Sequence, residues 1–210
     1  MKERPIIFSS PMVRAILADH KTQTRRIIVW NRKHDEDDGC VLLEVNQQGE
    51  KTPGRFWPWA IHDGDEDPIV CPYGVPGDWL WVRETWWHND SIPGRDGICY
   101  RADGEMPSYM DGEPWRPSIH MPRWASRILL EVESVRVERL QEISEADAVD
   151  EGYAGTGLGT LISADEIDSA RETFAQEWDS LNAKRGYGWD TNPWVWVVTF
   201  RVLNPEEAKL

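Results

Sequence analysis

The sequence predicts an α+β protein whose short strands form a barrel-like sheet. Strand-like segments are short and are separated by stretches rich in Gly and Pro. Few segments have helical periodicity, and these lie near the start of the chain and late in it. Strands and helices do not alternate along the chain as they do in parallel α/β folds.

In the first half, period-2 and period-3.6 patterns of apolar residues place the elements. Ser9 or Ser10 can cap a helix that has Pro11 in its first turn. The Trp-rich segment 79–87 alternates its faces and is the strongest strand signal. The predicted elements are a strand at 6–8, a helix ending near Asp19, a strand at 27–30 and a strand at 79–87.

In the second half, residues 127–140 predict a long bent strand or a hairpin. Ser144 caps a predicted helix at 145–151, which Gly152 closes. Ser163 and Glu166 form the capping box of a longer helix ending near Gly186. Its buried stripe is Ile167, Ala170, Phe174, Trp178 and Leu181, and a strand at 194–203 closes the chain.

The chain of 210 residues, with 40% apolar and 29% charged residues, is typical of one globular domain. We expect a single domain over 1–210, with turn-rich insertions at about 31–70 and 88–122. No apolar run approaches a membrane span and no signal peptide is evident, so we expect a cytoplasmic protein that contacts no membrane.

Charge and tryptophan content limit the partners. The net charge of −14 argues against non-specific binding to a long polyanion, but a local basic pocket can still hold a nucleotide. Residues 1–30 are an exception, with six basic and two acidic groups. The 13 tryptophans exceed what a core of this size needs, and indole faces can stack on nucleobases.

The sequence gives little support for a phosphate-binding loop or a metal site. The glycines Gly155, Gly157 and Gly159 lack the preceding strand and the following Lys-Ser/Thr pair of a phosphate loop. The thiols and imidazoles have no zinc-ligand spacing, so we expect no metal and no cofactor. The residues considered were Cys40, His62, Cys71, His88 and Cys99.

The segment 21–26 (KTQTRR) places two hydroxyls and three cations within six residues, between a predicted helix and a predicted strand. It is either a basic turn or a binding site. Together with the turn 76–78 (PGD), the Arg83-Glu84 pair, the segment 143–152 and the closing strand, it resembles the ASCH domain family. That resemblance implies a PUA-like β-barrel with a few flanking helices. The Trp-rich text of the chain, including segments 71–74, 81–86 and 192–194, is similar to that of longer ASCH-like proteins of phages and prophages, which would place this protein in a bacterial host.

The family includes amidohydrolases that remove the acetyl group of N(4)-acetylcytidine with a Lys, a Thr and a later Glu. The matching residues are Lys21, Thr24 and Glu151. The resemblance therefore implies a Thr nucleophile and a Lys base, which must be neutral to accept a proton. Burial and the neighbouring Arg25 and Arg26 would lower the pKa of Lys21, whereas a charged Glu151 would raise it.

The predicted ligand is a nucleoside or a single-stranded RNA base. Its predicted contacts are Thr22, Arg25, Arg26, Arg83, Trp189 and Trp194. Three alternatives stay open: a non-catalytic RNA-binding module, a ribonuclease in which the cations hold phosphate, and a phage or host interaction module that binds a protein partner through the acidic insertions.

Overall fold

The computed structural model describes residues 1–29, 41–43, 55–59, 69–91, 94–104, 114–153 and 170–204. These residues form three α-helices and ten strands, so the predicted α+β class is confirmed. The helices are α1 (Ser10–Leu17), α2 (Glu145–Asp150) and α3 (Ala170–Asn182). The strands are β1 (Glu3–Ile7), β2 (Gln23–Ile27), β3 (Val41–Leu43), β4 (Arg55–Trp59), β5 (Ile69–Val70), β6 (Trp79–Arg83), β7 (Trp86–His88), β8 (Ile98–Tyr100), β9 (Leu129–Arg139) and β10 (Trp194–Val202).

A mixed five-stranded sheet in the order β1-β6-β9-β10-β2 is the centre of the fold. β1 runs parallel to β6, and the other neighbours are antiparallel. β9 and β10 pair over almost their whole length, with one register shift between Thr199 and Phe200. These are the long bent strand and the closing strand that the sequence predicts.

β10 carries apolar side chains on both faces of the sheet. Trp196, Val198 and Phe200 belong to one buried cluster, together with residues of α1, β6 and β9. Val195 and Val197 belong to a second cluster, which α2 and α3 cover. Successive residues of a strand point to opposite faces, so a run of apolar residues is the pattern of a strand buried on both sides.

The predicted closed barrel is wrong, because the described strands form an open sheet whose edges are β1 and β2. Side-chain contacts join these edges instead of a backbone ladder. Arg26 of β2 donates from Nη2 to the carbonyl oxygen of Ile7 in β1, at 2.6 Å. Its guanidinium also lies 5.1 Å from the centroid of the Phe8 ring. A guanidinium and an aromatic ring thus lie between the two edges, where barrel closure would need paired main chains.

The basic motif lies within a strand and not before one. The sequence predicts a strand at 27–30, but β2 spans Gln23–Ile27 and pairs with β10. The preceding helix ends at Leu17, earlier than predicted, because Asp19 takes a left-handed conformation with φ of 58°. Thr24, Arg25 and Arg26 therefore have the fixed alternating directions of strand residues.

The strand predicted at 79–87 is two strands, because its halves have different partners. β6 pairs with β1 and β9, whereas β7 pairs with β8. The break falls at the buried Glu84, whose carboxylate accepts hydrogen bonds from Arg127 at 2.9 and 3.1 Å. A charged pair at this point supplies the polar contacts that a buried carboxylate needs.

The stripe predicted for the late helix is correct at Ala170, Phe174 and Trp178, which are buried. It is wrong at Leu181, which is 59% exposed, because Asn182 completes the four-residue spacing of the buried face. Ile167, the capping box of Ser163 and Glu166 and the glycine loop 155–159 lie outside the described residues, as do Cys40 and His62.

Two small sheets lie in the predicted insertions. β3, β4 and β5 form an antiparallel sheet in the first, and β7 and β8 form a pair that begins just before the second. Most of the first insertion lies outside the described residues. No helix in the described ranges is long and apolar enough to cross a membrane.

The two-sided core predicts a large cost for truncating Leu80, which is fully buried and lies opposite Leu130. We expect Leu80→Ala to lower the free energy of unfolding by about 2–5 kcal/mol, because it leaves a cavity in the sheet. Leu17→Ala on the exposed side of α1 is the control and should change it by less than about 0.5 kcal/mol. Urea denaturation of both variants measures the difference. Similar losses would mean that the core is not centred on this sheet.

Candidate functional site

Lys21 and Glu151 form a buried ion pair. Lys21 Nζ donates to Glu151 Oε2 at 2.7 Å, to the Glu151 carbonyl oxygen at 2.7 Å and to the Gln23 carbonyl oxygen at 2.8 Å. The Lys21 side chain is 0% exposed and that of Glu151 is 3% exposed. An ammonium group has three donors, and here each donor has an acceptor.

The ends of two short helices bring these residues together. After α1, the backbone N–H groups of His20 and Lys21 donate to the Ala15 carbonyl oxygen. The Thr22 N–H then donates to the Asp150 carbonyl oxygen at the end of α2, at 2.9 Å. The α2 helix begins as predicted, with Ser144 as its N-cap and Asp147 completing the capping box. Glu151 is its C-cap.

Gly152 allows this close approach. Its φ is +92°, in the left-handed region that favours glycine. A Cβ at this position would lie 3.2 Å from the Ala15 Cβ and 3.4 Å from the Lys21 Cβ. A larger residue would therefore push the end of α2 away from Lys21.

Arg25 holds the second oxygen of the Glu151 carboxylate. Its Nη1 lies 3.4 Å from Glu151 Oε1, and its Nη2 lies 3.0 Å from Glu138 Oε2 and 3.5 Å from Asp147 Oδ2. The Arg25 side chain is 0% exposed. Three carboxylates from β9 and α2 thus surround one buried guanidinium of β2. This guanidinium contacts one oxygen of the Glu151 carboxylate, and Lys21 contacts the other.

Burial dominates the protonation behaviour of this site. Complete burial lowers the pKa of Lys21 below its ordinary value, and the Glu151 carboxylate opposes that shift. The positive charges of Arg26 and Arg25 lower it further. Burial also raises the pKa of the Tyr153 hydroxyl, and the charge of Glu151 acts in the same direction.

A cavity of about 420 Å³ lies between β2, the end of α2 and α3; we call it the β2 cavity. Four of the predicted site residues line it, namely Thr24, Arg25, Arg26 and Glu151. Lys21 lies directly behind Glu151 and is not part of the wall. The β2 cavity therefore presents a hydroxyl, a carboxylate and guanidinium groups to a bound molecule.

The aromatic wall of the β2 cavity consists of residues that sequence reasoning did not assign to the site. Tyr73, Tyr153, Phe174 and Trp178 line it. Phe174 packs between Tyr153 and Trp178, with ring centroids 5.4 and 5.8 Å apart. The helical stripe identified Phe174 and Trp178, but as core residues alone. Tyr153 lies two residues after Glu151, so the motif that identified Glu151 also pointed to its position.

The mouth of the β2 cavity carries Asn182 and Arg185, which sequence reasoning also missed. Arg185 Nη1 donates to Asn182 Oδ1 at 3.3 Å. Asn182 is buried and its Nδ2 donates to the Trp178 carbonyl oxygen at 3.1 Å. A cation at the end of a helix is common and gave no specific signal.

Four predicted ligand contacts do not line the β2 cavity. Arg83 donates to the carbonyl oxygens of Ile119 and Met121. Trp189 and Trp194 lie under the guanidinium groups of Arg171 and Arg139, at 5.0 and 4.4 Å from the ring centroids. Thr22 joins β10 and α2 through its backbone. Ligand binding by these four residues stays a prediction.

In the described part of the chain, no group of three or more His, Cys, Asp or Glu side chains is arranged to hold a metal ion. Cys71 is buried, and burial raises the pKa of its thiol to about 11. A thiol with a raised pKa is a weak nucleophile and a weak metal ligand at neutral pH.

Comparison with known proteins gives one structural similarity. No protein-family model matches the chain, and no curated protein matches it. A crystal structure of an ASCH domain from Lactobacillus crispatus JV V101 is 15% identical, with 96% of this chain and 79% of that chain covered and a TM-score of 0.38. It is a domain of the family that the motifs resemble.

Substitution of Gly152 tests how closely α2 must approach Lys21. We expect Gly152→Ala to lower the free energy of unfolding by about 2–4 kcal/mol, through the strain of a positive φ and through crowding at Ala15 and Lys21. Gly186→Ala is a matched control, because its φ is +85° but no atom lies within 4 Å of the added Cβ. It should show the backbone strain alone, about 1–2 kcal/mol.

Urea denaturation and thermal melts of the two variants give the comparison. Equal losses of stability would contradict the close packing between Gly152 and Lys21.

Proposed function

We propose that the β2 cavity binds a nucleobase-bearing molecule and that the protein hydrolyses an acyl group from the amine of that base. The supporting observation is that Thr24 and Glu151 line one cavity and that Lys21 donates to Glu151 directly behind it. These are the three residues that match the catalytic set of N(4)-acetylcytidine amidohydrolases in the sequence resemblance.

The size and walls of the cavity suit a planar base. Small-molecule sites commonly occupy about 300–1,000 Å³ and combine apolar walls with a few polar groups. The four aromatic side chains named above offer faces or edges for a base, and each stacking contact is worth about 1–3 kcal/mol. Asn182 and Glu151 add groups that hydrogen-bond to the edge of a base.

The proposed chemistry begins at Thr24. Its Oγ attacks the acyl carbon and forms a C–O bond, while its proton passes through Glu151 to a neutral Lys21. The developing oxyanion is stabilised by the guanidinium groups on the wall. The proton is then donated to the amine nitrogen of the nucleobase as the C–N bond breaks, and the nucleobase leaves with a free amine. Water then hydrolyses the acyl-threonine ester, which releases the carboxylic acid and regenerates Thr24.

The lowered pKa of Lys21 supports its role as the base, because a larger fraction of the amine is then neutral near physiological pH. Glu151 has two roles in this scheme. It accepts a hydrogen bond from Lys21 at 2.7 Å, and it lines the cavity where the leaving amine would lie. It can therefore carry a proton between Lys21 and the substrate.

One observation favours a second candidate, a module that binds a base without chemistry. All three protons of the Lys21 ammonium group are donated to oxygen atoms, which is also the arrangement of a purely structural ion pair. The ribonuclease alternative is weaker, because two of the three cations that would hold phosphate, Lys21 and Arg25, have side chains that are 0% exposed. Binding of a protein partner through the acidic insertions stays a prediction.

Thr24 variants separate hydrolysis from binding. We expect Thr24→Ala to lower turnover of N(4)-acetylcytidine at least about a thousandfold, because the nucleophile is lost. Thr24→Ser should retain activity within about tenfold, and Thr85→Ala, away from the cavity, should match the unaltered protein. Chromatography of cytidine and acetate measures turnover, and calorimetry measures binding. Binding without turnover in the unaltered protein would favour the non-catalytic candidate.

The pH dependence of kcat/KM tests the base. Lys21 accepts a proton only when neutral, so activity should rise as the pH rises through its pKa, which is lower than that of an ordinary lysine. Lys21→Arg should be inactive at every pH, because arginine does not deprotonate in proteins. Circular dichroism checks that this variant folds. An active Lys21→Arg protein, or a flat profile, would exclude Lys21 as the base.

A further inference from the structure

The charge of the β2 cavity is opposite to that of the whole protein. The chain carries a net charge of −14. The charged residues on the cavity wall are nevertheless Arg25, Arg26, Arg185 and Glu151. A positive cavity in an acidic protein concentrates anions at one place and leaves the rest of the surface unfavourable to them.

Arg25 does not contribute to the net positive charge of the cavity. Its guanidinium is surrounded by Glu138, Asp147 and Glu151, so its charge is neutralised within the protein. The positive potential of the cavity therefore comes from Arg26 and Arg185.

Arg26 has no carboxylate partner in the described part of the chain. Its Nη2 donates to the Ile7 carbonyl oxygen, and its guanidinium lies 5.1 and 6.0 Å from the ring centroids of Phe8 and Tyr73. Its Nε is buried and makes no hydrogen bond within the described residues. The side chain is thus held in place by aromatic rings and one carbonyl, and no carboxylate of the described residues compensates its charge.

Arg185 is the second cation. Within the described residues its partner is Asn182, a neutral amide that is itself buried and bonded to the helix backbone. A neutral acceptor orients the guanidinium at the mouth of the cavity without neutralising it. Among the described residues, no other hydrogen bond engages the Arg185 guanidinium, so its other nitrogen atoms can donate to a ligand.

We infer that Arg185, supported by the charge of Arg26, binds the phosphate of a nucleotide whose base occupies the β2 cavity. This inference rests on the proposed function and narrows its substrate from nucleosides to mononucleotides. Guanidinium groups match phosphate oxygens in geometry and in charge. A long RNA fits less well, because a protein with a net charge of −14 repels a long polyanion.

The neighbouring lysine provides a matched control. Lys184 is exposed and adjacent to Arg185 in the chain, but it does not line the cavity. Arg185→Ala and Lys184→Ala remove the same charge from the same turn, so a difference between them reports a local contact and not the general field of the protein.

The test is calorimetric titration of the unaltered protein, Arg185→Ala and Lys184→Ala. The probes are N(4)-acetylcytidine, its 5′-monophosphate, a short RNA that begins with this nucleotide, and inorganic phosphate. We expect the monophosphate to bind about tenfold more tightly than the nucleoside, as for one charge-assisted contact. This difference should persist in Lys184→Ala, vanish in Arg185→Ala and shrink as salt is raised. Nucleoside affinity should be the same in Lys184→Ala as in the unaltered protein.

The outcomes separate the two proposals. Equal affinity for nucleoside and monophosphate, or equal losses in the two variants, would overturn the phosphate site and leave the proposed function standing. Phosphate binding that depends on Arg185, without binding of either cytidine compound, would support the anion site and overturn the nucleobase proposal. Tighter binding of the RNA than of the monophosphate would overturn the assignment to mononucleotides. No binding of any probe would overturn both proposals.

Discussion

The buried carboxylate of Glu151 is the point on which the rest of the site depends. Lys21 donates to one of its oxygens, and Arg25 lies 3.4 Å from the other. Charges removed from water cost several kcal/mol each unless partners replace the lost solvation. The Glu151 carboxylate therefore keeps both partners only while α1, β2 and α2 keep their relative positions, and Gly152 provides the room for this approach.

The same contacts explain why the cavity lies beside β2. This strand is an edge of the open sheet, and its alternating side chains send Arg25 towards α2 and Arg26 towards β1. Thr24, the residue before them, also lines the cavity, to which α3 contributes Phe174 and Trp178. An edge strand whose outer side is not covered by another strand has the free space that a binding site needs, whereas a closed barrel would fill it with paired backbone.

Charge distribution then sets what such a site can bind. Arg25, Arg127 and Arg136 form ion pairs with carboxylates, which neutralise their charges. Arg26 and Arg185 are held by neutral groups, a carbonyl and an amide, so their charge reaches the cavity. Screening limits the reach of each charge to about 10 Å at moderate salt. These two arginines therefore attract an anionic group only close to the cavity, although the protein as a whole is acidic.

The amino-acid sequence by itself determined the α+β class, the long strand β9, the closing strand β10 and the capped helix α2. Local patterns suffice for these features, because helix caps, glycine at a left-handed position and alternation of apolar residues act over a few residues. The grouping of Lys21, Thr24 and Glu151 as candidates came from the resemblance of separate motifs to the ASCH family. The tertiary structure decided the rest. Strand pairing broke the 79–87 segment, moved the basic motif into β2 and left the sheet open. Only packing across the chain brings Tyr73, Tyr153 and Arg185 to one cavity and buries Lys21 completely, since contacts between residues more than a hundred positions apart have no local signature.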